Sequence, residues 1–372
     1  MRKSWKKEGI FWCGIVILLG FTLMGMAAMC FLVLEWMYTP VRQEKELNPL
    51  EEMDLSAELL PYTMYGPRKN TVIQNVLMPA RKGDTTKPTI SINSFGFRYG
   101  PMAKKKPTGV KRIFMIGGSV VFFGHTNKTS ISGYLEDAFH ARFRGQKYEV
   151  INAGVTGFNS DQELVLLLVK LIDFDPDLII VFDGFNDFLI PSSIEQRLGY
   201  PSKFKAIEAA WYRNRQILRA MMDLPFTVHL TAGSHFMRRM NPRWSYIQHL
   251  AGYQEHEYTW HPAPTADAVV DHYAGNWQKM ADILRMRGIK GLFILQPFNR
   301  DGHTYAKQYE LMEAKIAQFS KQYPPNETFL QFRSYRNVMD DKKDLFYDIV
   351  HTYDAGNRYY AELMMADLQE LL

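Results

Sequence analysis

Apolar and polar positions change rhythm along the chain, and each rhythm predicts a different kind of element. Residues 10–34 form an uninterrupted run of 25 without a charged side chain, preceded by Arg2, Lys3, Lys6 and Lys7. A run of that length spans a bilayer as a helix with some tilt. Basic residues are denser before it than after it, where Glu35, Glu44 and Glu46 accompany Arg42 and Lys45. The positive-inside rule therefore predicts a cytoplasmic N-terminus at 1–9, a single-pass signal anchor at 10–34, and the rest of the chain outside the cytoplasm. A cleaved signal peptide is the alternative: Met26 to Met29 offers small residues, but the run is longer than a typical h-region.

Residues 35–110 have poor periodicity and recurrent prolines, from Pro40 to Pro107. That pattern predicts an extended juxtamembrane arm with short strands. Within it, Ile90 to Arg98 alternates and then turns at Gly96, as a small strand leading into a larger domain would.

From residue 111 onward, strand-length apolar runs alternate with helical patterns. Strands are predicted at Ile113–Ile116, Tyr148–Asn152, Leu178–Phe182, Gly291–Gln296 and Thr328–Phe332. Between them, Ser160 with Glu163 makes a capping box ahead of Leu164, Leu167, Leu168 and Leu171. Helical spacing covers Thr265–Gly288 and Tyr305–Tyr323, and a last helix starts near Asp354. Strand-helix-strand order implies right-handed crossovers and a mostly parallel sheet buried on both faces. Residues 190–264 break this rhythm and are too long for a plain connection. They read as an insertion with helical pieces near 205–222, serving either as a substrate-facing cap or as a packing or partner surface.

Composition narrows the picture without deciding it. With 372 residues, 47% hydrophobic and 22% charged, the chain has an ordinary folded composition, and a net charge of +5 leaves no basic footprint for nucleic acid. Both cysteines, Cys13 and Cys30, fall inside the first apolar run, so structural disulfides are not expected. His249, His256, His261 and His272 match no compact metal-ligand spacing. Trp211, Trp244 and Trp260 could stack on sugar rings, or belong to a core.

Candidate chemistry lies at the strand ends. The first strand stops at Gly117-Gly-Ser119, which puts a hydroxyl on a turn where open α/β sheets bind ligands. Before the last helix, Asp348 and His351 stand three apart. At that spacing the carboxylate can hold the imidazole tautomer while the other ring nitrogen faces a nucleophile. Gly157 and Asn186 follow the second and third strands, where a backbone N–H and an amide could converge on an oxyanion beside Ser119.

Together these blocks resemble the SGNH hydrolases, the GDSL esterase and lipase superfamily. The matching segments are Gly117-Gly-Ser119, Asn152-Ala-Gly-Val-Thr-Gly157, Gly184-Phe-Asn-Asp187 and Asp348-Ile-Val-His351, over about 111–190 and 265–372; Asn93 to Arg98 is also similar to a lead-in seen before such domains. Gly118 is a departure, because the family usually has Asp before the serine.

The resemblance implies a flavodoxin-like three-layer α/β/α sandwich over 111–372, with a mostly parallel five-stranded sheet and the insertion 190–264. It implies Ser119 as nucleophile, His351 as base and then acid, and Asp348 as orienter, with Ser119, Gly157 and Asn186 as the oxyanion hole. Asp187 would brace the Asn186 turn. No cofactor or metal is expected. The expected activity is hydrolysis of acyl esters, short-chain ones such as O-acetyl, on a carbohydrate or lipid-linked substrate. The alternatives are O-acyl transfer to a surface polysaccharide through the same acyl-enzyme, or a non-catalytic scaffold on this fold.

Overall fold

The computed structural model describes residues 15, 18–30, 32–33, 57–74, 89–202, 204, 208, 262–299, 305–369 and 371. The chain divides into two compact units, Met1–Glu46 with Lys205–Thr259, and Leu47–Phe204 with Trp260–Leu372. In the first unit, residues 18–30 and 32–33 are helical, and Leu18, Phe21, Leu23, Met24, Met26 and Met29 are exposed. Among the described residues, no helix is long and apolar enough to cross a membrane. The helical pieces expected near 205–222, and Trp211, Trp244, Trp260, His249, His256 and His261, lie outside the described residues apart from the helical position 208.

The second unit contains all nine described strands. Four are short and antiparallel: β1 (Ala57–Leu60) pairs with β2 (Met64–Pro67), and β3 (Thr71–Gln74) with β4 (Thr89–Ile92). The other five are β5 (Val110–Ile116), β6 (Lys147–Asn152), β7 (Leu178–Asp183), β8 (Lys290–Leu295) and β9 (Leu330–Ser334). They form one fully parallel sheet in the order β6-β5-β7-β8-β9. Counted within the sheet, that is the 2-1-3-4-5 order of flavodoxin-like folds.

Among the helices are α1 (Ser119–Phe122), α2 (Ile131–Arg142), α3 (Ser160–Val169), α4 (Phe185–Leu189), α5 (Ala266–Arg287), α6 (Ala306–Gln322) and α7 (Asp354–Leu368); a further helical turn at Pro325–Thr328 takes the start of the strand expected at Thr328–Phe332, so that β9 begins at Leu330. The sheet grows first to one side of β5 and then to the other. With right-handed crossovers, that reversal puts helices on both faces. Accordingly α2 packs on α7, while α5 packs on α3 and α6. β7 is buried at every position, as a central parallel strand must be.

Two local differences from the sequence reading have clear causes. β5 begins at Val110, ahead of the apolar run, because Arg112 is neutralised inside the fold: its Nε donates to Glu149 Oε2 at 2.7 Å, and its Nη1 to the carbonyls of Lys104 and Phe174. A paired charge of this kind is compatible with a buried strand. The capping box at Ser160 and Glu163 does not form. Asn159 is the N-cap, accepting from Gln162 N, while Ser160 Oγ donates to Asp187 Oδ1 at 2.6 Å and Glu163 is buried. By contrast α5 starts and stops on its expected signals, with Thr265 accepting from Ala268 N and Gly288 closing the helix at φ 64°.

Glu163 belongs to a buried acidic group with Asp183 and Asp187. Asp183 accepts from Tyr273 OH at 2.6 Å and Trp277 Nε1 at 3.1 Å, yet burial still pushes it up to about 6. Burial first, and then the charge of Asp183, pushes Glu163 and Asp187 well above the usual carboxylate range. No donor reaches the oxygens of Glu163 among the described residues, which fits a protonated acid that itself donates to Asp183.

Groups raised in this way stabilise the fold at acid pH and lose that contribution as pH rises. Stability is therefore expected to fall from pH about 4 upward, through about 6 for Asp183 and beyond for the other two. A Glu163→Gln variant keeps the donor and removes one titrating group. Its melting temperature should exceed that of the wild type by roughly 2–4 °C at alkaline pH, with the gap closing at acid pH. Parallel thermal melts at acid and alkaline pH check this, and an unchanged pH slope would contradict it.

Candidate active site

β5 ends in Gly117 and Gly118, and the chain turns at once into the single helical turn α1, with Ser119 as its first residue. Both glycines sit where a neighbouring group approaches closely. A Cβ on Gly117 would lie 2.3 Å from Phe182 O on the neighbouring strand, and one on Gly118 would lie 2.5 Å from Asn186 Nδ2. Ser119 is thereby set at the carboxyl end of the sheet, where α/β folds place their ligands. It is 8% exposed.

Ser119 Oγ lies 2.7 Å from His351 Nε2, and His351 Nδ1 lies 2.6 Å from Asp348 Oδ2. Asp348 and His351 occupy a turn clamped by the Phe346–Thr352 bridge, just ahead of α7. Asp348 Oδ1 closes that turn by accepting from Val350 N at 2.8 Å and His351 N at 2.7 Å. Burial alone would raise the Asp348 carboxyl. The hydrogen bonds and charge of His351 outweigh it and hold the group below its ordinary value. The imidazole is fixed sideways as well, stacked on Tyr347 at 5.7 Å and met by the edge of Phe123 at 5.0 Å.

Gly157 lies on the loop after β6 and Asn186 in α4 after β7, the two strands that flank β5. Gly157 has φ 77°, a left-handed conformation that favours glycine, and a Cβ there would come within 2.9 Å of the Ser202 hydroxyl. Among the described residues, no backbone carbonyl accepts from Ser119 N or Gly157 N. Asn186 Nδ2 spends one hydrogen on Phe158 O at 2.7 Å, leaving the second for another acceptor. The same two segments are joined again by Asp187 of α4, whose Oδ1 accepts from Ser160 N at 3.0 Å and Ser160 Oγ at the start of α3. Asn276 Nδ2 in turn donates to Ser160 Oγ at 3.0 Å.

Several supporting residues hold roles that the sequence did not assign to them. Asn152, fully buried at the end of β6, donates to Val121 O at 2.6 Å and accepts from Gly154 N, tying α1 to the Gly157 loop. Arg98 is 2% exposed and spends its guanidinium on the carbonyls of Phe122, Gly124 and Thr126, the backbone that follows Ser119. Burial lowers it to about 9, against the opposing pull of Asp354. Asn93 shapes the turn that delivers Arg98, accepting from Phe95 N and Phe97 N. The run Asn93 to Arg98 hinted at this only as a block similar to a family lead-in. Of the four histidines considered for metal, His272 is described, and its Nε2 bonds Asp161 at 2.9 Å.

No family model and no curated protein matches the chain. Among solved structures, it is similar to a two-domain esterase active on acetylated mannans, at 14% identity and TM-score 0.39, over 70% of this chain and 50% of that one. It is also similar to the acetylxylan esterase Axe2 of Geobacillus stearothermophilus, at 14% identity and TM-score 0.41, over 70% and 94% of the two chains. A third is the acetyl xylan esterase AlAXEase, at 14% identity and TM-score 0.42, over 69% and 99%. The chain thus spans half of the two-domain enzyme and most of the other two. These similarities are slight in both sequence and shape.

Proposed function

We propose that the chain is a serine esterase of the SGNH type that removes acyl groups, short ones such as acetyl, from a carbohydrate or lipid-linked substrate. The observation that carries this reading is the unbroken line Asp348–His351–Ser119, with contacts of 2.6 and 2.7 Å, ending on a turn at the carboxyl edge of a parallel sheet. In this mechanism His351 Nε2 takes the proton of Ser119 Oγ as the oxygen attacks the acyl carbon. The imidazolium is stabilised by Asp348. The developing oxyanion receives the N–H groups of Ser119 and Gly157 and the second amide hydrogen of Asn186, each worth about 3 kcal/mol of barrier. His351 then protonates the departing alcohol, and water resolves the acyl-enzyme by the same route in reverse.

A fluorophosphonate reagent tests the reading: it should label Ser119 covalently and stop turnover of a short-chain aryl ester. Absence of labelling would leave a non-catalytic scaffold. A sugar hydroxyl in place of water would make the same acyl-enzyme a transferase, and acceptor-dependent product formed at the expense of hydrolysis is the result that would show it. The membrane anchor at 10–34 is part of the proposal, supported by the exposed apolar side chains of Leu18, Phe21, Leu23, Met24, Met26, Met29 and Leu32. With the catalytic unit outside the cytoplasm, protease added to sealed right-side-out vesicles should digest it; complete protection would overturn that placement.

The Gly118 departure from the family becomes informative in this frame. Any Cβ at 118 displaces Asn186 Nδ2, a side-chain end that can move without unfolding the protein. Gly118→Ala should therefore keep its melting temperature while kcat falls by about 10²-fold through the lost oxyanion donor. A fall confined to KM would contradict this role for Asn186.

A further inference from the structure

The short hairpin β3–β4 lies in the stretch expected to be an extended arm, yet it is built onto the segment that follows Ser119. β4 alternates in burial, with Thr89 and Ser91 outward and Ile90 and Ile92 inward. Ile90 and Ile92 form a small apolar cluster with Phe122 and Phe123, and Ile73 of β3 and Tyr347 pack against it. Phe122 ends α1, Phe123 follows it, and Tyr347 stands next to Asp348. An isolated two-stranded hairpin is marginal in water, so β3–β4 depends on packing of this kind.

A polar seam joins the same parts. The loop after α1 runs beside β4 in a parallel bridge at Thr89 and Thr126, with Thr89 N donating to His125 O at 2.7 Å. Asn127 pairs with Ser91 as a peptide would: its Oδ1 accepts from Ser91 N at 3.1 Å and its Nδ2 donates to Ser91 O at 3.0 Å. At the start of α7, Asp354 Oδ1 accepts from His125 N at 3.1 Å and Asn357 Nδ2 donates to Thr129 O at 3.0 Å. The loop is thus held both by the hairpin and by the helix that follows His351.

The cluster also reaches His351 itself. The imidazole is stacked on Tyr347 with 12° between the ring planes and meets Phe123 at 70°. Its hydrogen bonds to Asp348 and Ser119 hold the two ring nitrogens, but they resist tilting of the ring about the line between those atoms only weakly. The two aromatic neighbours oppose that tilt.

We propose that the hairpin β3–β4 is a positioning element of the candidate active site, in which Ile90 and Ile92 fix the plane of the His351 imidazole through Phe123 and Tyr347. The catalytic consequence rests on the esterase reading; the packing does not. Proton transfer from Ser119 needs the lone pair of Nε2 aimed at the hydroxyl, and a misplacement of about 1 Å costs up to about 10²-fold in rate. The stretch before residue 110 is then part of the catalytic unit and more than a spacer.

The test follows the His351 ring signal by nuclear magnetic resonance in the full chain carrying isotope-labelled histidine, the signal being identified as the one lost in His351→Gln. Neighbouring aromatic rings shift that signal according to their geometry. Ile92→Ala is expected to move it and to lower kcat for a short-chain aryl ester by about tenfold with KM unchanged. Ile92→Val, which keeps a branched side chain in the cluster, should restore most of both. Met312→Ala empties a buried position in α6 instead, so it should lower the melting temperature while leaving the signal and kcat as in the wild type. Should Ile92→Ala fail to fold, Asn127→Ala cuts the polar seam at a half-buried residue and should move the signal and lower kcat in the same direction. An unmoved His351 signal, or an unchanged kcat, in the folded variant overturns the proposal. A wild type that neither hydrolyses ester nor reacts with fluorophosphonate, but whose His351 signal still responds to Ile92→Ala, would sink the esterase reading and support the positioning.

Discussion

Ser119→Ala is expected to lower kcat for a short-chain aryl ester by about a millionfold, to the level left by oxyanion donors and binding alone. The size of the effect follows from the position of the hydroxyl. Ser119 Oγ has His351 Nε2 as its hydrogen-bond partner at 2.7 Å and is otherwise enclosed, so no neighbouring hydroxyl or water takes its place without rebuilding the turn. The fold should be indifferent to the change, since Ser119 opens α1 through its backbone, with Phe123 N bonded to Ser119 O. Retained thermal stability together with lost turnover and lost labelling is the expected pattern. Turnover within tenfold of the wild type would remove Ser119 from the mechanism.

Asp348→Asn should cost about 10⁴-fold in kcat. Asn keeps an oxygen for Val350 N and His351 N, so the turn survives. The atom facing His351 Nδ1 becomes an N–H donor, and the imidazole must then accept at Nδ1 and carry its hydrogen on Nε2, pointing it at Ser119 Oγ. The base is lost to the wrong tautomer. The carboxylate also supports the imidazolium formed in the reaction, and His351 holds it ionised below the ordinary carboxylate range. Rate measurements on the variant check this, and a loss under tenfold would mean that Asp348 only shapes the turn.

Parts of this site were legible because they depend on local chemistry. Asp348 and His351 are close in sequence, and one turn is enough to join them. Gly117 and Gly118 mark the end of a buried strand by composition alone. Other parts were not legible. Helix α2 is not among the elements expected from the sequence, although Ile131, Leu135 and Phe139 sit at helical spacing. Glu163 looked like a capping residue three positions after Ser160. It is instead buried against Asp183, a residue of β7, and nothing local announces that. Arg98 reads as an ordinary charge after a turn, and its burial on three carbonyls depends on a loop more than twenty residues away.

The sequence by itself determined the strand runs, the crossover order and therefore the parallel sheet, because hydrophobic periodicity and turn chemistry act over a few residues. It also determined which residues stand at the strand ends. Only the tertiary structure decided that Ser119 and His351, separated by 232 positions, meet at hydrogen-bond distance, that Gly118 is small to admit Asn186, and that Tyr347 packs on the cluster of Ile90 and Ile92. Those are distances between elements, set by how the sheet and its flanking layers pack, and no short window of sequence contains them.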